Sequence, residues 1–185
     1  MQLQETSQEI WEKKYRIPGE KDVNATFDRV AKALSLGDPI KEKEFIWAMQ
    51  NGAVPAGRIL ANAGAEEFKP KTSTINCTVS RMIPDSMDGI MDSLKEAALT
   101  LKSGAGIGYD FSTLRPRGAY VSGAGAYTSG SLSFMDIFDK MCFTVSSAGG
   151  RRGAQMGCLD VRHPDIIDFI KAKREDGRLR QFNVS

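Results

Sequence analysis

The sequence predicts an α/β protein in which a helical amino-terminal domain, residues 1–71, precedes a region of alternating strands and helices, residues 72–185. Three observations carry that reading. Apolar residues recur three and four apart as far as Gly52, whereas β-branched alternation first appears at "TSTINCTVS". From there each strand-like run is followed by a helix-like one, the order expected of a parallel sheet or barrel. The glycine-rich stretch "SGAGIGYDFSTLRPRG", residues 103–118, lies between a helical pattern and an alternating one, and so reads as a helix-to-strand turn.

In the first domain "TSQEIWEKKY", "NATFDRVAKALSL" and "IKEKEFIWAMQNG" read as helices, broken at Pro18-Gly19 and at Gly37-Asp38-Pro39. In the second, "TSTINCTVS" is the first strand. Asp85-Ser86 opens a helix whose stripe is Ile90, Met91, Leu94, Ala97, Ala98 and Leu101, and "GIGYDFSTL" is the second strand. "RGAYVSGAGAYTSGS" reads as a long flexible loop, followed by a helix through Leu132, Met135, Phe138, Met141, Cys142 and Val145. "RGAQMGCLDV" is a third strand, "HPDIIDFIKAK" a third helix and "QFNVS" the start of a fourth strand. A parallel sheet ending at that strand would have an unpaired edge, so the fold is expected to continue in residues outside this sequence.

Composition narrows the function classes. The chain has 185 residues, 41% hydrophobic and 26% charged, the balance of a soluble globular protein. A net charge of +2 gives no reason to expect a nucleic-acid or membrane partner. The one basic cluster, "KAKREDGRLRQ", is diluted by Glu175 and Asp176 and reads as a solvated segment or an anion contact. No apolar run approaches the ~18 residues of a membrane span. The amino-terminus carries charges where a secretion signal would be apolar, and a cytoplasmic location is expected. Three widely spaced cysteines, Cys77, Cys142 and Cys158, indicate neither a disulfide framework nor a zinc site, and no metal is expected. A Ser-His-Asp triad would need His163, the single histidine. It precedes Pro164, a favoured first helical residue, and reads as leading into a helix rather than as a base.

The glycine stretch excludes two nucleotide motifs. Gly104 and Gly106 fit the dinucleotide fingerprint, but its sixth position is Tyr109 and Gly108 falls one place early. No glycine is followed by Lys and then Ser or Thr at the spacing of a phosphate-binding loop.

Six ordered blocks carry a resemblance: "PAGRILANAG", "NCTV", "SGAGIGYDFSTLRPRG", "SGSLSFMDIFD", "GGRRGAQMGCLDVRHPDIIDFIKAK" and "QFNVS". Together, over residues 50–185, they resemble the catalytic subunit of ribonucleotide reductase, most closely its adenosylcobalamin-dependent class II branch. The resemblance implies the first half of a ten-stranded α/β barrel behind a helical domain, and the reduction of ribonucleotides by a thiyl radical with a pair of redox cysteines. Cys77 falls on the first of that pair, where two electrons are delivered as a dithiol becomes a disulfide. Cys142 and Cys158 match no catalytic position of the family and read as core packing. Gly57, Asn76, Cys77 and Gly106 fall where main-chain N–H groups approach the substrate's phosphates; a tight turn requiring positive φ is the structural alternative for the glycines.

By the same resemblance Asp85 and Arg115 fall at an allosteric specificity site for a deoxynucleoside triphosphate, Asp85 recognising the effector and Arg115 contacting its phosphate. Asp85, one residue further from Cys77 than the common spacing, is also a good helix N-cap, strengthened by Asp88 three places on. Arg117 is either a helper at that site or a solvated surface residue. Residues 118–130 match the first specificity loop and residues 173–181 the second. Helices 85–102 and 131–147 are expected to pair in a homodimer across a two-fold axis.

The family's radical cysteine, in an Asn-x-Cys-x-Glu stretch, does not occur in this sequence, nor does the partner redox cysteine. The chain is therefore expected to need a carboxy-terminal partner, adenosylcobalamin bound mostly by residues outside this sequence, and a thioredoxin-type or other dithiol reductant. Two alternatives are a fragment of a class I large subunit and a non-catalytic, deoxynucleotide-binding regulatory module.

Overall fold

In a computed structural model, which describes residues 4–69, 73–145, 153–174 and 178–185, the chain divides into two compact units, Met1–Asn76 and Cys77–Ser185. The first is helical: α1 (Glu5–Ile10) running into a π-helical turn (Trp11–Tyr15), α2 (Val23–Ser35), α3 (Pro39–Gln50) and α4 (Gly57–Asn62). Asp22 caps α2 by accepting from the N–H groups of Asn24 and Ala25, and Asp38 caps α3 in the same way with Pro39 behind it. The chain leaves α2 through Leu36 and Gly37, both at positive φ. Phe27, Val30 and Ala31 of α2 pack with Met49, Leu60 and Ala63 as the core of this unit. The apolar residues of α3 do not share one face: Met49 is buried while Ile40 and Trp47 are exposed.

A buried polar network crosses this core. Glu20 accepts from Arg29 (Nε···Oε1, 2.7 Å), from Thr26 Oγ1 and from the Ile17 N–H. The Arg29 guanidinium also donates to the carbonyls of Leu60, Ala63 and Tyr15. Lys69 donates to the Ala61 carbonyl at 2.7 Å, and burial followed by the nearby Arg29 charge lowers its pKa.

The second unit is a four-stranded parallel sheet in the order β1-β2-β5-β6, built from β1 (Cys77–Val79), β2 (Gly106–Asp110), β5 (Gln155–Cys158) and β6 (Phe182–Val184). Helices α5 (Met87–Lys102), α6 (Ser131–Thr144) and α7 (Ile166–Lys171, continued as a 3-10 turn to Arg174) join successive strands. Ala97 and Leu101 of α5, Met135, Phe138 and Cys142 of α6, and Phe169 of α7 bury Ile107, Tyr109 and Phe182 in one cluster. Tyr109, Phe111, Phe138 and Phe182 meet edge-on or tilted at 5.0–6.1 Å. The Tyr109 hydroxyl, forced inside with the ring, donates to Gln155, whose amide donates to the Phe138 carbonyl.

Two features differ from the sequence reading. Residues 117–131, expected as an irregular loop, contain a hairpin of β3 (Tyr120–Val121) and β4 (Ala126–Tyr127). Its ladder is extended by Gly118 N–H to Thr128 O and Thr128 N–H to Ala119 O, and Gly125 turns the tip at φ +60°. Strands this short carry no detectable periodicity. The helix expected to begin at Pro164 begins instead at Ile166, because the segment before it is held in turns by the His163 N–H to Asp160 O and Ile166 N–H to His163 O bonds. Expected elements at residues 146–152 and part of the segment 173–181 fall outside the described residues.

Candidate functional site

Cys77 opens β1, an edge strand exposed along its length, and its thiol is free. The register sets Cys77 opposite Gly106 and Val79 opposite Gly108. The alternation that turns Ile107 and Tyr109 into the helical core turns Gly106, Gly108 and Asp110 toward the opposite face of the sheet. There Val79 and Met156 are exposed. Cys77 thus stands at the rim of an open face whose central strand carries glycine at alternate positions.

The turn before β2 resolves the question of the glycines. Gly104 has φ +88°, a conformation that favours glycine, and supplies the tight turn after α5. Gly106 is not among the positive-φ residues and lies within the strand, so the turn alternative accounts for Gly104 and not for Gly106. Gly57 and Asn76 belong to the first unit. Gly57 is the first residue of α4, where a Cβ would come within 3.0 Å of the Tyr15 hydroxyl, and half-buried Asn76 immediately precedes Cys77.

A second constellation lies between α5 and the hairpin. Arg115 Nε donates to Asp85 Oδ2 at 2.7 Å, and the guanidinium also reaches the carbonyls of Asp85 (3.3 Å) and Tyr120 (3.4 Å). Both side chains are about one-third exposed, so a ligand can reach them. The N-cap alternative for Asp85 is not what the structure shows: the cap of α5 is Ser86, whose Oγ accepts from the Gly89 N–H at 3.1 Å. Asp85 sits one residue too early, and its carboxylate is turned to Arg115. The first turn of α5 packs on Pro84, where a Cβ at Gly89 would come to 2.5 Å. Arg117 does not join this pair; its guanidinium meets Asp168 at 3.0 Å in an exposed position.

Two further residues touch the segment that carries Arg115: Asp165, to which the sequence assigned no role, and His163, which it placed only as a lead into a helix. Asp165 accepts from the Arg117 N–H and the Ser131 hydroxyl, and His163 Nε2 lies 2.8 Å from the Leu114 carbonyl. Neither contact has a local signature, since both partners lie far away in sequence. The other two cysteines are quieter. Cys142 is buried on α6 and burial pushes its thiol up to about 11, while Cys158 is half-buried in β5. Among the described residues no group of His, Cys, Asp and Glu is placed to hold a metal ion, and no helix is long and apolar enough to cross a membrane.

The second unit is thus an open parallel α/β sheet with helices on one face, a cysteine on its edge strand and an arginine–carboxylate pair beside a hairpin. The chain belongs to the ribonucleotide reductase family: the model of its all-alpha domain matches residues 1–67, and that of its barrel domain residues 75–185. A vitamin B12-dependent ribonucleoside-diphosphate reductase of Thermoplasma acidophilum is 39% identical over 133 residues, 71% of this chain and 17% of that protein. One of Mycobacterium tuberculosis is 46% identical over 104 residues, 56% of this chain and 15% of that protein. The chain therefore spans about a sixth of the length of these relatives. The alpha subunit of a class Id ribonucleotide reductase from Actinobacillus ureae shares the fold with a TM-score of 0.79, at 23% identity over 98% of this chain and 32% of that one.

Proposed function

We propose that the chain is the part of a ribonucleotide reductase that carries the first redox cysteine, part of the substrate-phosphate site and the specificity site. The observation that carries this reading is the free, exposed Cys77 at the start of an edge strand, in register with Gly106 on the open face of the sheet. A thiol there can be reached by a substrate and by a reductant. In the reaction, a pair of thiols gives up two electrons and two protons as it becomes a disulfide; the ribose C2′–O bond breaks, the hydroxyl leaves with one proton as water, and a C2′–H bond takes its place. Cys77 supplies one thiol; the second, and the radical cysteine, come from a carboxy-terminal partner.

The names of the relatives support adenosylcobalamin as the cofactor of the complete enzyme. When bound, that group supplies the radical. In this reading the residues that hold it lie mostly outside this chain.

Asp85 and Arg115 take the effector in this reading, Arg115 through phosphate and Asp85 through sugar or base. Their ion pair holds both groups at the mouth of the hairpin until a ligand arrives. Exposed Met87, Met91 and Leu99 of α5, with Ile137 and Phe143 of α6, support the homodimer expected through residues 85–102 and 131–147, of which 146 and 147 lie outside the described residues.

The test is complementation. The chain mixed with a carboxy-terminal reductase piece, adenosylcobalamin, a ribonucleotide and a dithiol should form deoxyribonucleotide, and the chain alone should not. Cys77→Ser should abolish multiple turnover in the mixture. Undiminished steady-state turnover by that variant would remove the redox assignment.

A further inference from the structure

We propose that His163 and Asp165 are positioning residues for Arg115, gripping the chain on both sides of it so that its guanidinium is presented to an anionic ligand. This rests on the reading of Arg115 as a contact for nucleotide phosphate. His163 Nδ1 accepts from the Asp165 N–H at 3.1 Å, so the ring proton is on Nε2, which donates to the Leu114 carbonyl at 2.8 Å. Two residues on, both oxygens of Asp165 accept from the Arg117 N–H, at 3.1 and 3.2 Å. A single three-residue segment therefore holds the residue before Arg115 and the residue after Pro116. Neither grip is solvent-screened, since His163 is 8% and Asp165 9% exposed.

Asp165 also reaches the far end of the hairpin. Its Oδ2 accepts from the Ser131 hydroxyl at 3.3 Å, at the start of α6. Gly130, at φ +89°, passes so close that a Cβ there would stand 2.8 Å from the Arg117 nitrogen and 2.9 Å from Asp165 Oδ2. One carboxylate thus closes the base of the hairpin that begins beside Arg115, whose guanidinium touches the hairpin at the Tyr120 carbonyl. The same segment runs directly into α7, so the fold links Arg115 to the helix that leads toward residues 173–181.

A double-mutant cycle tests the proposal, with the four deoxynucleoside triphosphates titrated into the full chain by calorimetry. Asp165→Ala is expected to weaken the tightest of them about tenfold, the equivalent of ~1.4 kcal/mol. Asp165→Asn, which keeps an acceptor for the Arg117 N–H, should restore most of that affinity. In an Arg115→Ala background Asp165→Ala should have no further effect, because its action runs through Arg115. An equal loss in both backgrounds, or none in a folded Asp165→Ala chain, would overturn the proposal while leaving the effector reading intact. If Asp165→Ala does not fold, His163→Leu takes its place in the cycle. His163→Gln, which retains a donor for the Leu114 carbonyl, is then the rescuing variant. Unchanged affinity in Arg115→Ala, or no triphosphate binding by the parent chain, would defeat the effector reading first and this proposal with it.

Discussion

Arg115 Nε stands 2.7 Å from Asp85 Oδ2, joining two residues thirty positions apart across the space between β1's exit and the hairpin. The pair leaves Ser86 alone to cap α5. Three substitutions therefore separate binding from stability. Arg115→Ala should weaken deoxynucleoside triphosphate binding roughly ten- to a hundredfold, from loss of a charge-assisted contact worth about 1.5–3 kcal/mol. Asp85→Asn should alter which triphosphate is preferred. Ser86→Ala should leave the preference alone and cost about 1 kcal/mol of stability. Calorimetric titration and chemical denaturation of the three variants read these effects.

Gly130 is the backbone counterpart of the Asp165 grip. Gly130→Ala combines positive φ with a Cβ contact of 2.8 Å to Arg117, whereas Gly125→Ala, also at positive φ, meets nothing within 4 Å. The second should cost about 1–2 kcal/mol, and the first clearly more. Urea denaturation of the two variants side by side checks the order.

In the helical unit, Glu20 and Arg29 form an ion pair with both side chains less than a tenth exposed. Removing one partner strands the other among carbonyls and apolar groups. Glu20→Gln or Arg29→Met should each destabilise this unit by about 3–5 kcal/mol. Buried Trp11, hydrogen-bonded to Thr26, reports its unfolding by fluorescence in a Trp47→Phe background.

The thiols should react in order of exposure. A thiol reagent should modify Cys77 first in the native chain, Cys158 more slowly, and Cys142 only on unfolding. Burial also gives alkaline stability a sign. The folded Cys142 thiol titrates near 11 against an ordinary 9.0, so its contribution is complete below pH 9 and is lost as pH rises toward 11. Tyr109, raised from 10.0 chiefly by burial, acts in the same direction above pH 10. The melting temperature should fall from pH 9 upward. In Cys142→Ala the fall should begin near pH 10 instead.

The apolar residues left exposed on α5 and α6 predict self-association. Ile137→Glu or Phe143→Glu should shift the chain to monomer in sedimentation equilibrium, while melting temperature changes little, because both side chains are exposed in the single chain. A dimer that persists in both variants would place the interface elsewhere.

The order of helices and parallel strands, the helix-to-strand turn at Gly104 and most of the inward stripe of α5 were legible in the sequence, although Met91, expected in that stripe, is exposed. Each depends on periodicity or turn chemistry within a window of a few residues, where burial on one face leaves a repeating mark. The candidate site was legible only by resemblance, as single residues: Cys77, Gly106, Asp85 and Arg115. What they touch was decided by the tertiary structure. Asp85 was an equally good cap until the fold set Arg115 beside it and gave the cap to Ser86. His163 read as a lead into a helix until its ring was found on the Leu114 carbonyl, 49 positions away. Arg117 and Asp165, 48 positions apart, carry no mutual signal in the chain. The physical reason is that a hydrogen bond between distant segments forms only once strands β2 and β5 lie side by side, and that packing depends on the whole core rather than on either partner's neighbours.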